Sequence, residues 1–551
     1  MCGLVFGYCF NKQNQQSFFE LIEHTVECMS HRGGDDSGLY VDRDQGYVLG
    51  HTRLSLNGGM AGSQPVTCDG ASLVYNGEIY SYKKTSVFDL GFSSDTQFLF
   101  QSLQSVNFSS AKNVSNFLSS LDGMWSFVCV KGDNLILSRC FFGQKPLYVI
   151  THKEFVIFTS DVEAVDQSFK DFGAYSCRKV SEFPAGSFLL ANISHFSSSY
   201  FKEIKPEPFY SLESASNCRP AYGFSSLFSS VIDCYSRGVV GDIAVSLSGG
   251  LDSSLIAASL VRALGCDRVK AFHAHMGSHN NLDLKNAAYV ANKLNIEFID
   301  VEVTPKLFLK ELGILKDKLT VDIFSPAVVL HSILLRKVKE RNIKIIYEGQ
   351  GADEYLGGYI QDQMNFNMSH LNSLISKLKF IAKSIYHHKM VEIAVFFKNY
   401  TARKNNTHFD IVSNNIFHSP LPQLLSYGDW ISMLHNIENR LPFLSPNLVF
   451  QYGKFNTKEL YSYSRSKYPV RDMLFSFELD RIASFKKKRG YELDWFKLYR
   501  YLFKVLILPS DYQKPSMDLI FFIKFFGAGI FFPKVGVLTY FKKSLRRDYR
   551  L

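Results

Sequence analysis

The 551-residue chain has no Cys-x-x-Cys pair, and its ten cysteines follow neither a zinc-ligand spacing nor a regular disulfide framework. Reduced thiols and a cytoplasmic location are therefore expected. No run of 18 or more apolar residues occurs, which excludes an ordinary transmembrane helix. The apolar stretch Gly3–Phe10 has no basic leader, so a secretory signal peptide is not expected. No internal repeat is found. Surplus charge is missing from most of the chain as well. Residues 486–551 hold 15 Lys/Arg against 5 Asp/Glu, and the net charge of +10 therefore belongs to the C-terminal stretch while residues 1–485 are balanced. That stretch lacks a recognisable nucleic-acid-binding motif, so no nucleic-acid partner is expected.

What is present is a globular composition, 46% hydrophobic and 20% charged. The length exceeds one ordinary core and points to two domains. Up to about residue 200 the chain reads mostly as short β-prone runs broken by Gly, Asn and Asp: Gly3–Phe10, Leu73–Tyr75, Trp125–Val130, Leu135–Arg139, Leu147–Ile150, Phe155–Thr159 and Ser187–Ala191. Phe18–Met29 and Thr96–Leu103 have helical spacing. This mixture predicts an α+β domain with packed sheets. Residues 193–221, rich in Ser, Pro and Glu, read as a linker. From about residue 222 strands and helices alternate, the signature of a parallel α/β sheet: Ile243–Leu247, a helix over Asp252–Leu264 stopped by Gly265, Lys270–His275, a helix over Leu284–Leu294, and Ile343–Tyr347. The domain expectation is 2–195, 222–500 and a basic, apolar extension 501–551.

Two local patterns carry chemistry. Cys2 follows Met1, and removal of Met1 would leave a cysteine whose α-amine, with an unperturbed pKa of roughly 8, can take the proton of its own thiol. The second pattern is Ser248-Gly-Gly-Leu-Asp-Ser-Ser254 between a strand and a helix. Its glycines let backbone N–H groups approach phosphate oxygens, and the helix start adds the positive end of its dipole. No Gly-Lys-Ser/Thr follows, so it is not a Walker A loop.

Around Cys2 the segments His31-Arg-Gly-Gly-Asp-Asp-Ser-Gly38, Gly50-His-Thr-Arg-Leu-Ser55, Gln64-Pro65, Tyr75-Asn-Gly-Glu-Ile-Tyr80, Ser94-Asp95 and Leu121-Asp-Gly-Met-Trp125 occur in the order and spacing of class II glutamine amidotransferases. They resemble the glutaminase half of glutamine-hydrolysing asparagine synthetases. The resemblance implies that Cys2 is the nucleophile and that Arg53, Leu54, Ser55, Leu56, Asn76, Gly77, Glu78 and Asp95 line the glutamine site. Arg53 would clamp the α-carboxylate, and Asp95 and Glu78 would hold the α-ammonium. The Asn76 amide and the Gly77 N–H would form an oxyanion hole.

The later half resembles the same family. Glu348-Gly-Gln-Gly-Ala-Asp-Glu-Tyr-Leu-Gly-Gly-Tyr359, Glu438-Asn-Arg-Leu-Pro-Phe-Leu444 and Lys486-Lys-Lys-Arg-Gly-Tyr491 match its loops. By that resemblance Leu247, Ser248, Gly249, Gly250, Asp252, Ser253, Ala274, Glu348 and Gly349 contact ATP, Asp252 and Asp353 share Mg²⁺ on the pyrophosphate, and Lys488 neutralises the adenylation transition state. The implied fold is an αββα sandwich of the N-terminal-nucleophile hydrolase type, followed by a doubly wound α/β ATP pyrophosphatase domain.

The implied activity is ATP-driven amidation of a carboxylate through an acyl-AMP. Glutamine, ATP and a carboxylate acceptor, aspartate by default, are the expected partners. A uronic acid of a surface polysaccharide is the alternative acceptor, and a non-catalytic nucleotide-binding paralogue the alternative role. A homodimer, and peripheral contact of the basic stretch with an anionic membrane surface, stay open. The pattern departs from the family at the acceptor loop. Gln350 stands at an acidic position and is counted among the catalytic residues, although it can orient an acyl group but not accept a proton. Glu348 replaces a serine.

Overall fold

The structure is a computed structural model and describes residues 2–56, 58–172, 178–197, 200, 205–210, 223–277, 281–318, 326–358, 408–418, 420–453, 461–462 and 465–485. Lys488 and the extension 501–551 lie outside the described residues.

The first half consists of strands β1 (Gly3–Cys9), β2 (Asp36–Asp42), β3 (Tyr47–Arg53), β4 (Val66–Cys68), β5 (Ala71–Tyr82), β6 (Thr85–Ser86), β7 (Leu121–Lys131), β8 (Asn134–Arg139), β9 (Tyr148–Thr151), β10 (Phe155–Thr159), β11 (Lys179–Glu182), β12 (Ser187–Asn192) and β13 (Glu207–Pro208). One antiparallel sheet runs β11-β9-β10-β1-β3-β2, and a second runs β13-β12-β8-β7-β5-β4 with β6 on β5. Side chains alternate across a strand, and β1 shows the consequence. Leu4 and Phe6 face the second sheet, together with Leu49, Val74, Val128, Leu137 and Phe158. Val5 and Cys9 face the opposite way, against Phe18, Ile22 and Val26 of the helix Gln15–Cys28 and Val165 of the helix Val162–Asp171. The outer face of the second sheet is covered by the helices Asp95–Ser105 and Ala111–Leu118 through Phe98, Leu99, Val114 and Leu118. The layers are therefore helix, sheet, sheet, helix, as expected.

The expected strands are present with shifted ends; β5 and β7 are much longer than their apolar centres. Strands β2 and β3 were not expected, because Asp, Gly and His interrupt their alternation. The stretch read as a linker contributes β13, which pairs with β12. It also contributes Phe209, buried against Trp125 and Phe141.

The second half holds β14 (Ile243–Ser246), β15 (Val269–His275), β16 (Glu297–Glu302), β17 (Ile345–Tyr347) and β18 (Glu438–Arg440) in a parallel sheet ordered β16-β15-β14-β17-β18. The direction in which successive strands are added reverses between β14 and β17, although all five strands run parallel. Ligands of doubly wound sheets bind at such a switch point, beyond the carboxyl ends of the strands. The loops that follow β14 and β17 are Leu247–Gly250 and Glu348–Gly351. Among the described residues no helix is long and apolar enough to cross a membrane.

The halves share one interface and one hydrophobic cluster, in which Trp125 and Phe141 are continuous with Phe228, Tyr235 and Phe443. Asp122 of β7 accepts from Tyr235 (3.0 Å), Ser445 (2.5 Å) and Asn447 (3.2 Å). Burial lifts its carboxyl to about 6 against those three donors. Tyr80 stacks on Tyr235 with ring centroids 3.7 Å apart. Asp429, on the helix Leu421–Leu434, is buried as well. Its two oxygens take Arg32 Nη2 at 2.6 Å and Lys145 Nζ at 3.2 Å from the first half. Burial opposes ionisation of Asp429, but the two cations prevail and hold its pKa below the usual carboxylate value. Removing one partner of a buried ion pair leaves charge uncompensated. Asp429→Ala is therefore expected to cost about 3–5 kcal/mol, read as a fall in the urea midpoint.

Candidate active site

Cys2 immediately precedes β1, the central strand of the first sheet, and is buried. Its backbone N–H donates to Asn76 Oδ1 at 3.0 Å. Burial pushes the Cys2 thiol up; the positive amino terminus, the Leu54 N–H and Arg53 pull it down, and Asp95 pushes it up again, for a net rise. The thiol is thus held protonated until a base takes the proton, which suits an adjacent α-amine better than a standing thiolate. Asn76 is fully buried, and its Nδ2 has no partner among the described residues. A buried amide donor in that state beside a thiol is what an oxyanion would complete.

Gly77 follows it on β5, opposite Trp125 on β7. A Cβ at Gly77 would lie 2.0 Å from the Met124 carbonyl oxygen, so the close approach of the two backbones needs glycine. His51 donates through Nε2 to the Tyr75 carbonyl at 3.1 Å, and burial lowers its pKa to about 3, so it is a neutral brace behind Asn76.

Asp95 stands at the start of the helix Asp95–Ser105 and accepts from Tyr75 OH (2.8 Å), Ile79 N (3.1 Å) and Thr96 N (2.8 Å). Burial nevertheless raises its pKa. Arg53 ends β3, lies against Gly62 and reaches Ser63 at 3.5 Å. Leu54 is buried, and Ser55 and Leu56 are half-buried; the Ser55 N–H donates to Asp35 at 2.8 Å. Arg53, Asn76, Asp95 and Leu54 thus gather at Cys2. Glu78 sits farther along β5 and faces Arg440 Nη2 at 3.6 Å. Burial, with Asp95 and Glu438 nearby, raises its pKa well above the ordinary value.

At the switch point of the parallel sheet, Gly249 adopts φ 72°, where a Cβ would meet Asp283, Asn286 and Ala287 at 2.7 Å. Ser253 Oγ accepts from the Ser248 N–H (3.2 Å) and lies 3.0 Å from Ser248 Oγ, bracing the loop at the start of the helix Leu251–Leu264. Leu247 and Ala274 are buried at adjacent strand ends. Gly250 opens that helix as its N-cap, and a Cβ on Gly349 would touch Asp252 Cβ at 2.9 Å, so the two glycine loops meet.

Asp252 and Asp353 converge on one group, Lys467 Nζ, at 2.6 and 2.5 Å. Two carboxylates within reach of a single cation supply the hard oxygen donors that Mg²⁺ prefers. The sequence reading missed Lys467. It precedes a proline-containing helix, Tyr468–Ser476, in a left-handed conformation (φ 59°), and is buried. No spacing signal distinguishes it from a solvated lysine.

Glu348, expected at the nucleotide, has both carboxylate oxygens engaged elsewhere: His331 Nε2 at 2.6 Å and Asn439 Nδ2 at 2.5 Å. Gln350 lines a cavity of about 10 Å³ between the halves, with Met124, Lys145, Asp429 and Asn439. The sequence reading had singled out neither His331 nor Asn439.

Residues 240–517 match the family described as asparagine synthase, and residues 1–208 match the glutamine amidotransferase domain. The chain is 28% identical over 359 residues to a probable glutamine-hydrolyzing asparagine synthetase of Dictyostelium discoideum, covering 60% of this chain and 61% of that protein. It is 26% identical over 387 residues to the glutamine-hydrolyzing asparagine synthetase B of Escherichia coli K12, covering 65% of each. The matches thus span under two thirds of these relatives' length. Among solved structures, a glutamine phosphoribosylpyrophosphate amidotransferase from B. subtilis overlaps 51% of this chain and 67% of its own at 17% identity, with a TM-score of 0.29, too little to argue from.

The contact at Gly77 gives a direct test of this geometry. Gly77→Ala must part β5 from β7, and the expected cost is about 3 kcal/mol or more, measured as a lower urea midpoint than that of Gly59→Ala, where a Cβ meets nothing within 4 Å.

Proposed function

From a chain that belongs to the asparagine synthase family and carries a class II glutamine amidotransferase half, we infer a glutamine- and ATP-dependent amide synthase. The observation that carries this reading is the pairing of two sites in one interlocked body. Cys2 beside the free Asn76 amide donor lies in one half, and the carboxylates Asp252 and Asp353 with Lys467 lie at the switch point of the other.

With Met1 removed, the Cys2 α-amine takes the thiol proton and the sulfur attacks the glutamine amide carbon. The Asn76 Nδ2 and Gly77 N–H donate to the developing oxyanion. The C–N bond breaks, ammonia leaves with the proton returned by the amine, and water releases glutamate from the thioester. Arg53 and Asp95 orient glutamine by charge.

In the second half the glycine loops cradle the phosphates. An acceptor carboxylate oxygen attacks the α-phosphorus and pyrophosphate leaves. Lys467 neutralises charge on that leaving group, together with Lys488, to which the resemblance gives the same role. Mg²⁺, when bound by Asp252 and Asp353, would supply further charge neutralisation there. Ammonia then attacks the acyl carbon of the acyl-AMP, AMP leaves, and the amide remains.

Aspartate is the default acceptor. A second reading, another carboxylate such as a uronic acid, is favoured by Gln350. An amide there cannot take the proton that attacking ammonia must lose, and Glu348 in the same loop is committed to His331 and Asn439.

Cys2→Ala is expected to abolish glutamate release from glutamine while ammonium chloride still supports AMP formation; residual glutaminase turnover in that variant would remove Cys2 from its role. Lys467→Ala should lower AMP release by about 10²–10³-fold, the usual loss on deleting one charge-stabilising group, and production of ADP by the wild type would refute the pyrophosphatase assignment. For the acceptor, AMP release is compared across aspartate and free or nucleotide-linked uronates. The second reading expects aspartate to fall below a kcat/KM of about 10⁴ M⁻¹s⁻¹, and a higher value makes aspartate the substrate.

A further inference from the structure

The helices Gln15–Cys28 and Val162–Asp171 lie side by side on the outer face of the first sheet, packed through Phe18, Ile22, Val165 and Phe169. Thr25 Oγ1 donates to Ser168 Oγ at 3.0 Å between them and sets their register. At their shared end three metal-ligating side chains meet. His24 and Cys28, four residues apart, lie on one face of the first helix. Asp171 ends the second. His24 Nε2 is 3.0 Å from Asp171 Oδ2 and 4.0 Å from Cys28 Sγ, and the three ligand atoms all fall within 4.8 Å of one another. Two ligands on one tetrahedral zinc, with bonds of about 2.0–2.3 Å, stand about 3–4 Å apart. Small turns of the Cys28 and Asp171 side chains therefore close on one ion.

The groups behind these ligands are arranged too. In the tautomer that donates from His24 Nδ1 to Glu27 Oε2 (3.1 Å), the Nε2 lone pair faces Cys28 and Asp171. Gln167 Nε2 donates to Asp171 Oδ1 at 2.8 Å and leaves Oδ2 toward His24. A carboxylate behind the imidazole and a donor behind the carboxylate are how metal ligands are held in orientation. Charge points the same way. Two carboxylates converge on one imidazole, and both helices present their C-terminal ends, the negative ends of their dipoles. Sulfur selects the ion, since a thiolate with imidazole suits Zn²⁺ and not Mg²⁺ or Ca²⁺. His24 and Cys28 are half-buried and Asp171 is exposed, so an ion can enter from solvent.

We propose that His24 Nε2, Cys28 Sγ and the Asp171 carboxylate form a zinc site that clasps the two outer helices of the first half, with water in the fourth position. On binding, the Cys28 S–H bond breaks, its proton goes to solvent, and the thiolate pair makes the Zn–S bond; nothing is oxidised. Glu27 is the positioning residue that orients the imidazole. The site shares no residue with the Cys2 pocket or the glycine loops and is separate from the amide-synthase reading. No spacing in the sequence announces it, because Asp171 stands 147 residues after His24.

The test titrates Co²⁺, a coloured stand-in for Zn²⁺, into the reduced, metal-free full chain. One equivalent should raise a thiolate-to-cobalt charge-transfer band in the near ultraviolet, which Zn²⁺ then removes by displacement. Cys28→Ser should abolish the band, whereas Cys2→Ala and Cys68→Ala should keep it. Asp171→Asn and Glu27→Ala should keep the band but weaken Co²⁺ binding, Glu27→Ala by about tenfold, the lower end of the loss when a supporting carboxylate is removed. Zn²⁺ should also raise the melting temperature of the wild type and leave that of Cys28→Ser unchanged. Equal melting temperatures of the two metal-free proteins guard against a folding defect; if they differ, His24→Gln replaces Cys28→Ser and should lose the one-equivalent binding. A wild type without the band overturns the proposal. So does a band that survives Cys28→Ser or disappears in Cys2→Ala, because the metal would then sit on another thiol. Co²⁺ affinity unchanged in both Asp171→Asn and Glu27→Ala overturns it as well.

Discussion

The buried carboxylate of Asp429 is the contact on which the two-site arrangement depends. It comes from the α/β half, and both of its cations, Arg32 and Lys145, come from the sandwich. A lone ionised carboxylate at that depth would be strongly unfavourable, as would either cation without it. The charges are tolerable only when the halves are in register. The same register places Asp122 under Tyr235, Ser445 and Asn447, and Arg440 beside Glu78. Further out, Lys344 reaches Asp35 at 2.7 Å and the Ser55 carbonyl at 3.2 Å, tying the parallel sheet to the loop that follows Arg53. The loop that follows Arg53 and the cavity at Gln350 are therefore built on one continuous polar seam.

Each site uses the simplest property of its sheet. In the sandwich, Cys2 sits where the central strand begins, and its neighbours come from strands and a helix end that converge there: β3 for Arg53, β5 for Asn76, and the helix start for Asp95. In the parallel sheet, the reversal of strand order between β14 and β17 opens a crevice that two glycine loops fill. Strands and helix starts hold these side chains, and reacting groups gain from geometry fixed in advance.

Much of this was legible in the residues. Cys2 behind a removable methionine, the Ser248–Ser254 loop and the switch from strand-rich to alternating strand and helix each follow from local chemistry. The short apolar runs at the centres of β1, β7 and β10 marked those strands, and the structure buries them on both faces. Strands β2 and β3 did not, because Gly38, Gly50 and His51 break the pattern, and their reasons are tertiary. Gly50 makes room for Val26 of a helix and Val5 of the next strand, and His51 braces the Tyr75 carbonyl. Part of the stretch read as a linker packs for the same reason: Phe209 looks like a stray aromatic until Trp125 and Phe141 surround it.

What the sequence by itself determined is the order of two local patterns, a cysteine behind Met1 and a glycine loop between a strand and a helix, since each is written in a few consecutive residues. The tertiary structure alone decided which groups stand opposite one another across long stretches of chain. Lys467 meets Asp252 and Asp353 although the three span more than two hundred residues. Glu348, which the resemblance puts near the nucleotide, has its carboxylate on His331 and Asn439, because a buried carboxylate must find a cation and a donor wherever the fold offers them.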